Sequence, residues 1–385
     1  MEKFDVLIIG GGIAGTGLGY ELAETRTVAL LEMESSLGFH TTGRSAAAFV
    51  ESYGSRTVRM LVSTSRAFFE HPPEGFDVPL LTPRSLLWVA SESELGMLEQ
   101  LETTVREFVP DAELIDSAEA VRRCPVLDPA WVKKALVEQG ASDIDVNAIH
   151  QGFIRGMKAR GGRIHQSSRV AAMERTGGVW RVTTEAGEIF EAPVVVNAAG
   201  AWGDEVAKIA GAKPIGLRPM VRNVFIVDRP ALPSGTVFSQ LPLVFNVGGH
   251  FYFKPEGDSM LCSPADEVPS DPCDIKPQVE QIARAIENIN TATTMNIRHV
   301  RKSWAGLRTF VADRTPVASY DTELDGFFWL VGQGGYGIET SPALSRCAAA
   351  ILTGGPLPED ALARGLEPSD LNMNRLADVA EFLSH

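Results

Sequence analysis

The chain has 385 residues, 44% of them hydrophobic and 22% charged, with a formal net charge of −14. That is a globular composition, and its acidic excess argues against a nucleic-acid surface and against strong attraction to anionic lipid. No apolar run approaches the roughly 20 residues a membrane helix needs, and Cys124, Cys262, Cys273 and Cys347 lack the spacing of a metal site or a disulfide framework. The N-terminus passes directly into an apolar strand, so no leader and a cytoplasmic location are expected, which leaves room for peripheral membrane association.

In chain order, the first element is a short apolar run, Asp5-Val6-Leu7-Ile8-Ile9, followed by Gly10, Gly12 and Gly15 and then by a helical pattern with Ala14, Leu18 and Leu22 on one face. A second apolar run from Thr27 ends at Glu32 and Met33. The spacing reads as strand, glycine turn, helix, strand: Gly10 permits the turn, Gly12 lets backbone approach a pyrophosphate, and Gly15 lets the helix pack on the strand. Ile13 and Ala14 open the helix, and Glu32 is placed to accept hydrogen bonds from a ribose diol. Gly43, Arg44, Ser45 and Ala46 follow in a polar loop. Arg44 and Ser45 read as completing a phosphate cradle or as a simple cap with a solvated arginine.

An amphipathic helix through Val58, Leu61, Val62 and Phe69 stops at His71-Pro72-Pro73. From about Leu80 the texture changes to a strand over Arg84–Ala90, a helix through Leu95–Phe108, and a short helix opening near Asp116 with Glu119 as capping-box partner. The first fold resumes near Asp143, with a helix through Ile149–Met157 and a hairpin over 179–192. A buried strand then meets Asn197, Ala198, Ala199, Gly200 and Trp202. Residues 218–301 read as an antiparallel sheet with one helix after Pro277. The last buried strand, Phe327–Val331, runs into Gly334, Gly335, Tyr336, Gly337, Ile338 and Glu339.

Two glycine-rich strand-to-helix turns more than 300 residues apart need one explanation. A nicotinamide enzyme needs only the first. A flavin uses the first for its pyrophosphate and the positive end of a later helix beside its ring, so FAD is the better reading.

These motifs, with Gly43–Ala47, Asn197–Trp202 and Trp304-Ala305-Gly306-Leu307-Arg308, resemble the D-amino acid oxidase superfamily of flavoproteins over nearly the full length, and most closely its D-arginine dehydrogenase group. The resemblance implies an α/β fold: a Rossmann-like FAD domain assembled from residues 1–82, 143–216 and 302–385, and a mixed, largely antiparallel α+β substrate domain from 83–142 and 217–301. It implies cofactor contacts extending to Val170 and Gly306, and no metal. Arg222 and Arg308, helped by Tyr252 and Tyr53, would clamp a substrate carboxylate, and Ala48, Leu87, Gly335 and Glu339 would line the substrate pocket. No cysteine stands in Arg301-Lys302-Ser303-Trp304, where sarcosine oxidases attach flavin, so the FAD is expected to be non-covalent.

Three positions depart from the arginine-using relatives. Ala48 replaces a histidine, Leu87 a glutamate that faces the substrate guanidinium, and Glu339 a glutamine; Glu339 is read as capping its own helix from the first turn, the alternative being that it partly restores an acidic pocket. A cationic side chain would lose its partner at Leu87, so a small or apolar D-amino acid is the expected substrate, oxidised by hydride transfer to flavin N5 and then hydrolysed to the 2-oxo acid and ammonia. The electron acceptor stays open among a quinone, a carrier protein and oxygen. The alternatives are a 2-hydroxy acid dehydrogenase, a glycine- or sarcosine-type amine oxidase, and a non-catalytic flavin-binding subunit.

Overall fold

The structure is a computed structural model in which residues 2–376 are described; residues 377–385, expected to close the cofactor domain, lie outside them. At its centre is a six-stranded sheet in the order 163–165, 28–31, 6–9, 194–197, 327–331, 317–320. All of its neighbouring pairs are parallel except the last. The strands Val6–Ile9, Val28–Leu31 and Phe327–Val331 are buried throughout, as expected of uniformly apolar runs covered on both faces. Helices Ile13–Leu22 and Gly337–Thr353 pack on one face and share a core with Val6, Ile8 and Phe328. A four-stranded sheet containing the hairpin 179–192 packs near the other face, through Trp180, Phe190 and Trp329.

The second large sheet has nine strands and is antiparallel except where Leu243–Asn246 runs alongside Leu86–Ala90. Helix Val279–Ala292 covers one face, and the other turns toward the cofactor domain. Lys302–Phe310, expected with the cofactor domain, belongs instead to this sheet. It pairs antiparallel with Arg218–Asp228 over nine residue positions, which places Arg222 opposite Gly306 and Met220 opposite Arg308. Pairing between these two strands brings the two arginines, 86 residues apart in sequence, to one end of the molecule.

Among the described residues no helix is long and apolar enough to cross a membrane, and no cluster of metal-ligating side chains occurs. Asp116 caps the helix Ser117–Arg123 by accepting from the Glu119 N–H at 2.9 Å. The expected capping box is only half made, because the Glu119 carboxylate turns to Arg122 and Arg123 instead.

Candidate active site

The first glycine turn has the geometry its spacing implies. Gly10 sits at φ +113°, and a Cβ there would lie 2.4 Å from the Ala198 carbonyl oxygen. A Cβ on Gly15 would lie 2.0 Å from the Gly10 carbonyl, so Gly15 is a packing glycine with no place on the cavity wall. Glu32 is tied down through both oxygens: Oε2 accepts from Gly11 N–H at 2.7 Å and Oε1 from Glu34 N–H at 2.9 Å. Burial raises its pKa above the ordinary carboxylate value. Two further supports had no sequence signal. Thr42 accepts the Ile13 N–H at 3.0 Å, and His150, buried beneath the loop, contacts the Gly11 carbonyl at 3.0 Å.

From this turn an elongated cleft runs across the interface of the two large sheets, enclosing about 1510 Å³ with its mouth included. It is lined by Gly10, Gly12, Ile13, Ala14, Glu32 and Met33, by Arg44, Ser45, Ala46, Val170, Ala199, Gly200 and Trp202, and by Gly306, Arg308, Gly334, Gly335, Gly337 and Ile338, with Arg222 and Tyr252. Two expected members are set back from the wall. Gly43 donates its N–H to the Gly38 carbonyl at 2.8 Å and shapes the loop. Tyr336 stands behind Tyr53, ring centroids 5.1 Å apart, its phenol pushed up to about 12 first by burial. Arg44 lines the cleft, but its guanidinium is used by the protein: it bonds Asp274 at 2.6 Å and the carbonyls of Ala305 and Ile275 at 3.1 and 3.3 Å, so it ties the loop to the second sheet and does not cradle phosphate.

A smaller cavity adjoins the cleft and shares Ser45, Ala46, Tyr252, Arg308, Gly335 and Ile338 with it. Its remaining walls include Ala48, Val50, Tyr53, Trp88 and Phe245, with Lys254 and Glu339 as its additional charged side chains. Arg308 stands between the two spaces. Its guanidinium lies so close to Gly335 that a Cβ there would sit 2.5 Å from Nη1. Burial lowers its pKa, but the phenols of Tyr53, Tyr252 and Tyr336 outweigh burial and raise it. Conversely, burial raises the Tyr53 phenol while Arg308 and Arg222 outweigh it and hold it below the usual tyrosine range.

Arg222 is part structural and part free. Its Nε donates to the Asp266 carbonyl at 2.8 Å and its Nη2 lies 3.5 Å from Glu267, while the buried Nη1 has no partner among the described residues. The Tyr252 hydroxyl and Thr309 Oγ1 are likewise buried and unpartnered. Three orphaned polar atoms around one cleft are costly in a closed protein and fit a site completed by a polar ligand.

Two pocket expectations are corrected. Leu87 does not line the cavity. Side chains alternate along Leu86–Ala90, so Leu87 and Val89 enter the core under helix Val279–Ala292, while Leu86, Trp88 and Ala90 face the site. Trp88 supplies the wall, and its indole N–H donates to Glu138 Oε1 at 2.6 Å, which also accepts from Ser52 at 2.6 Å. Glu339 does not cap its helix: Oε2 accepts from Val50 N–H at 2.9 Å across the cavity, and Tyr336 starts the helix with no side-chain cap.

A parallel sheet carrying a glycine turn at the carboxyl ends of its strands, joined to a second sheet across a long polar-ended cleft, defines a dinucleotide-dependent enzyme architecture. Residues 5–351 match the family model described as DAO, FAD dependent oxidoreductase, and the chain belongs to that family. FAD is its cofactor, and the cleft with its unpartnered polar atoms fits such a group. The sarcosine oxidase subunit beta of Rhizobium meliloti is 25% identical over 382 residues, covering 94% of this chain and 88% of that one. Human mitochondrial dimethylglycine dehydrogenase is 24% identical over 270 residues, 68% of this chain but only 30% of the relative, so the chain spans under a third of that protein's length. The L-proline dehydrogenase structure from P. horikoshii has the same fold, with a TM-score of 0.82 at 21% identity over 98% of both chains.

Proposed function

We propose that the chain oxidises an α-amino acid, of D configuration and with a small or apolar side chain, to the imino acid, which water converts to the 2-oxo acid and ammonia. The observation that carries this reading is Arg308. It is a guanidinium at the junction of the cofactor cleft and the smaller cavity, has no carboxylate within ion-pair distance among the described residues, and is ringed by tyrosines. A cation held in that way suits a substrate carboxylate. Arg222 supports it with the unpartnered Nη1 and Tyr252 with its unpartnered hydroxyl. D configuration rests on the resemblance of Arg222, Arg308, Tyr53 and Tyr252 to the D-amino acid dehydrogenases.

When bound, FAD supplies the two-electron acceptor for the α-hydrogen. The protein's own contribution is orientation. A carboxylate gripped by Arg308 fixes the α-carbon at the boundary of the two spaces and directs the side chain among Ala48, Val50, Trp88 and Phe245. Those walls favour apolar groups. They oppose a guanidinium, because Lys254 already places a buried cation there, held by Asp143 at 2.8 Å. Selectivity against D-arginine, expected from Leu87, thus rests on different residues.

An N-alkylated glycine is the second reading, favoured by the names of the sarcosine, dimethylglycine and proline relatives. An anaerobic flavin-bleaching screen separates the two. D-leucine or D-methionine should bleach the flavin well ahead of D-arginine. Faster bleaching by sarcosine or L-proline supports the second reading, faster bleaching by D-arginine or a 2-hydroxy acid overturns the first, and no bleaching by any of them leaves a non-catalytic flavin subunit.

A further inference from the structure

We propose that Glu339 is the base that takes the proton from the substrate ammonium, with its cavity-facing Oε1 as the accepting atom. The inference rests on the amino-acid reading above and deepens it. An amino acid arrives as an ammonium, whose nitrogen has no lone pair with which to form a C=N bond. The proton must leave before or as the α-hydrogen does, and a positioned acceptor is needed near the nitrogen.

Glu339 is the single carboxyl side chain on the wall of the smaller cavity among the described residues. It shares the wall of that cavity with Arg308 and with Gly335, where a Cβ would meet the Arg308 guanidinium. Only Oε2 is used by the protein, in the bond from Val50 N–H, and this fixes the carboxyl plane. Oε1 accepts no hydrogen bond from the described residues and is not sealed off from the cavity.

The other groups around the cavity serve less well. Lys254 is a cation engaged by Asp143 and, at 3.5 Å, by Glu256. Tyr53 and Tyr252 face the two arginines, and Ala48 offers no titratable group. Glu339 itself is set by what surrounds it. Burial raises its proton affinity most, Glu138 and Glu51 raise it further, and Val50 N–H and Arg308 oppose them without prevailing. A carboxyl held above its ordinary range is better matched to an ammonium than a solvated one.

The step balances. An ammonium N–H bond breaks and an O–H bond forms on Oε1. The freed lone pair forms the C=N bond while the α C–H bond breaks, the hydrogen leaving with its electron pair as a hydride for which FAD, the family's two-electron oxidant, would be the acceptor. The carboxyl proton returns to water as the imino acid leaves.

The test is rapid-reaction flavin reduction by D-leucine or D-methionine as a function of pH in the wild type and E339Q holoenzymes. The wild-type rate constant should rise with pH through one ionisation of the complex. In E339Q that limb should be replaced by one at the higher pH where the substrate amine itself loses its proton, with reduction slowed on the order of 100-fold near neutrality and converging on wild type once that amine is free. Binding of a carboxylate lacking the amino group, read from the flavin absorption spectrum, should keep its Kd within about twofold, a readout that a collapsed site would move. Should E339Q fail to hold flavin, E339D, which keeps the carboxyl, should retain a shifted limb. The proposal is overturned if E339Q keeps the wild-type limb, if its loss is the same at every pH, or if Y53F abolishes the limb instead. Failure of every amino acid to reduce the wild-type flavin would instead sink the proposed function.

Discussion

Trp88 donates its indole N–H to Glu138 Oε1 at 2.6 Å, and the same oxygen accepts from Ser52. This buried bond holds the tryptophan as a wall of the smaller cavity and joins the strand Lys134–Glu138 to the segment that carries Val50 and Tyr53. Truncating the wall should shift selectivity. W88A is expected to raise kcat/KM for D-phenylalanine relative to D-alanine by about tenfold or more, since pocket volume discriminates at that scale. E138Q, which keeps the shape and both contacts in weaker form, should shift the ratio less. Steady-state kinetics with an artificial electron acceptor read both.

Leu87 should behave in the opposite manner. It is fully buried among Val89, Val137, Val244 and Phe253 on the face away from the site. L87A is expected to lose about 2–5 kcal/mol of stability through the cavity it leaves. Its substrate preference should be unchanged, and a selectivity shift comparable to that of W88A would contradict the assigned strand face.

Arg308 should be intolerant even of lysine. A lysine keeps the charge but loses the planar fork that grips two carboxylate oxygens. R308K is expected to lower kcat/KM on the order of 100-fold, since a charged hydrogen bond is worth about 1.5–3 kcal/mol. Because the nearest fixed carboxylates, Asp266 and Glu267, face Arg222, R222K should cost less. Equal losses in the two variants would argue for a symmetric clamp.

Gly335 has no room for a methyl group. In G335A the new Cβ would meet the Arg308 guanidinium at 2.5 Å, so one of the two must move. The expected result is a protein that retains flavin, because the clash falls on the Arg308 side chain, but with substrate reduction of the flavin slowed on the order of 100-fold by a displaced clamp. Normal reduction rates in G335A would show that Arg308 can swing away at no cost.

The Glu339 carboxyl also predicts how stability depends on pH. Its folded pKa is raised by burial, so between the unfolded carboxylate value near 4.5 and the folded pKa the native state holds a proton that the unfolded state has released. In that window its contribution to stability falls as pH rises. E339Q removes the dependence, so the difference in Tm between E339Q and wild type should move in favour of the variant as pH increases from about 4.5. Thermal melts across that range should show the trend, and a difference independent of pH would contradict it.

Much of the cofactor end was legible in the primary structure. Glycine spacing and buried apolar strands are local, and residues 5–32 form the turn, helix and two strands that their pattern predicts. The arginines were legible as residue types, but their meeting depends on the pairing of two strands distant in sequence. What only the tertiary structure decided lies at the substrate end. Leu86-Leu87-Trp88-Val89-Ala90 is apolar at every position, so period two carries no sign of which face is which, and a one-residue difference exchanges Leu87 for Trp88 on the cavity wall. Glu339 and Arg44 have ordinary local roles open to them as a helix cap and a phosphate ligand. Each is instead claimed by a partner more than 200 residues away, Val50 and Asp274, because a polar side chain withdrawn from water takes the hydrogen bonds that folding brings to it and not those that its neighbours in sequence could offer.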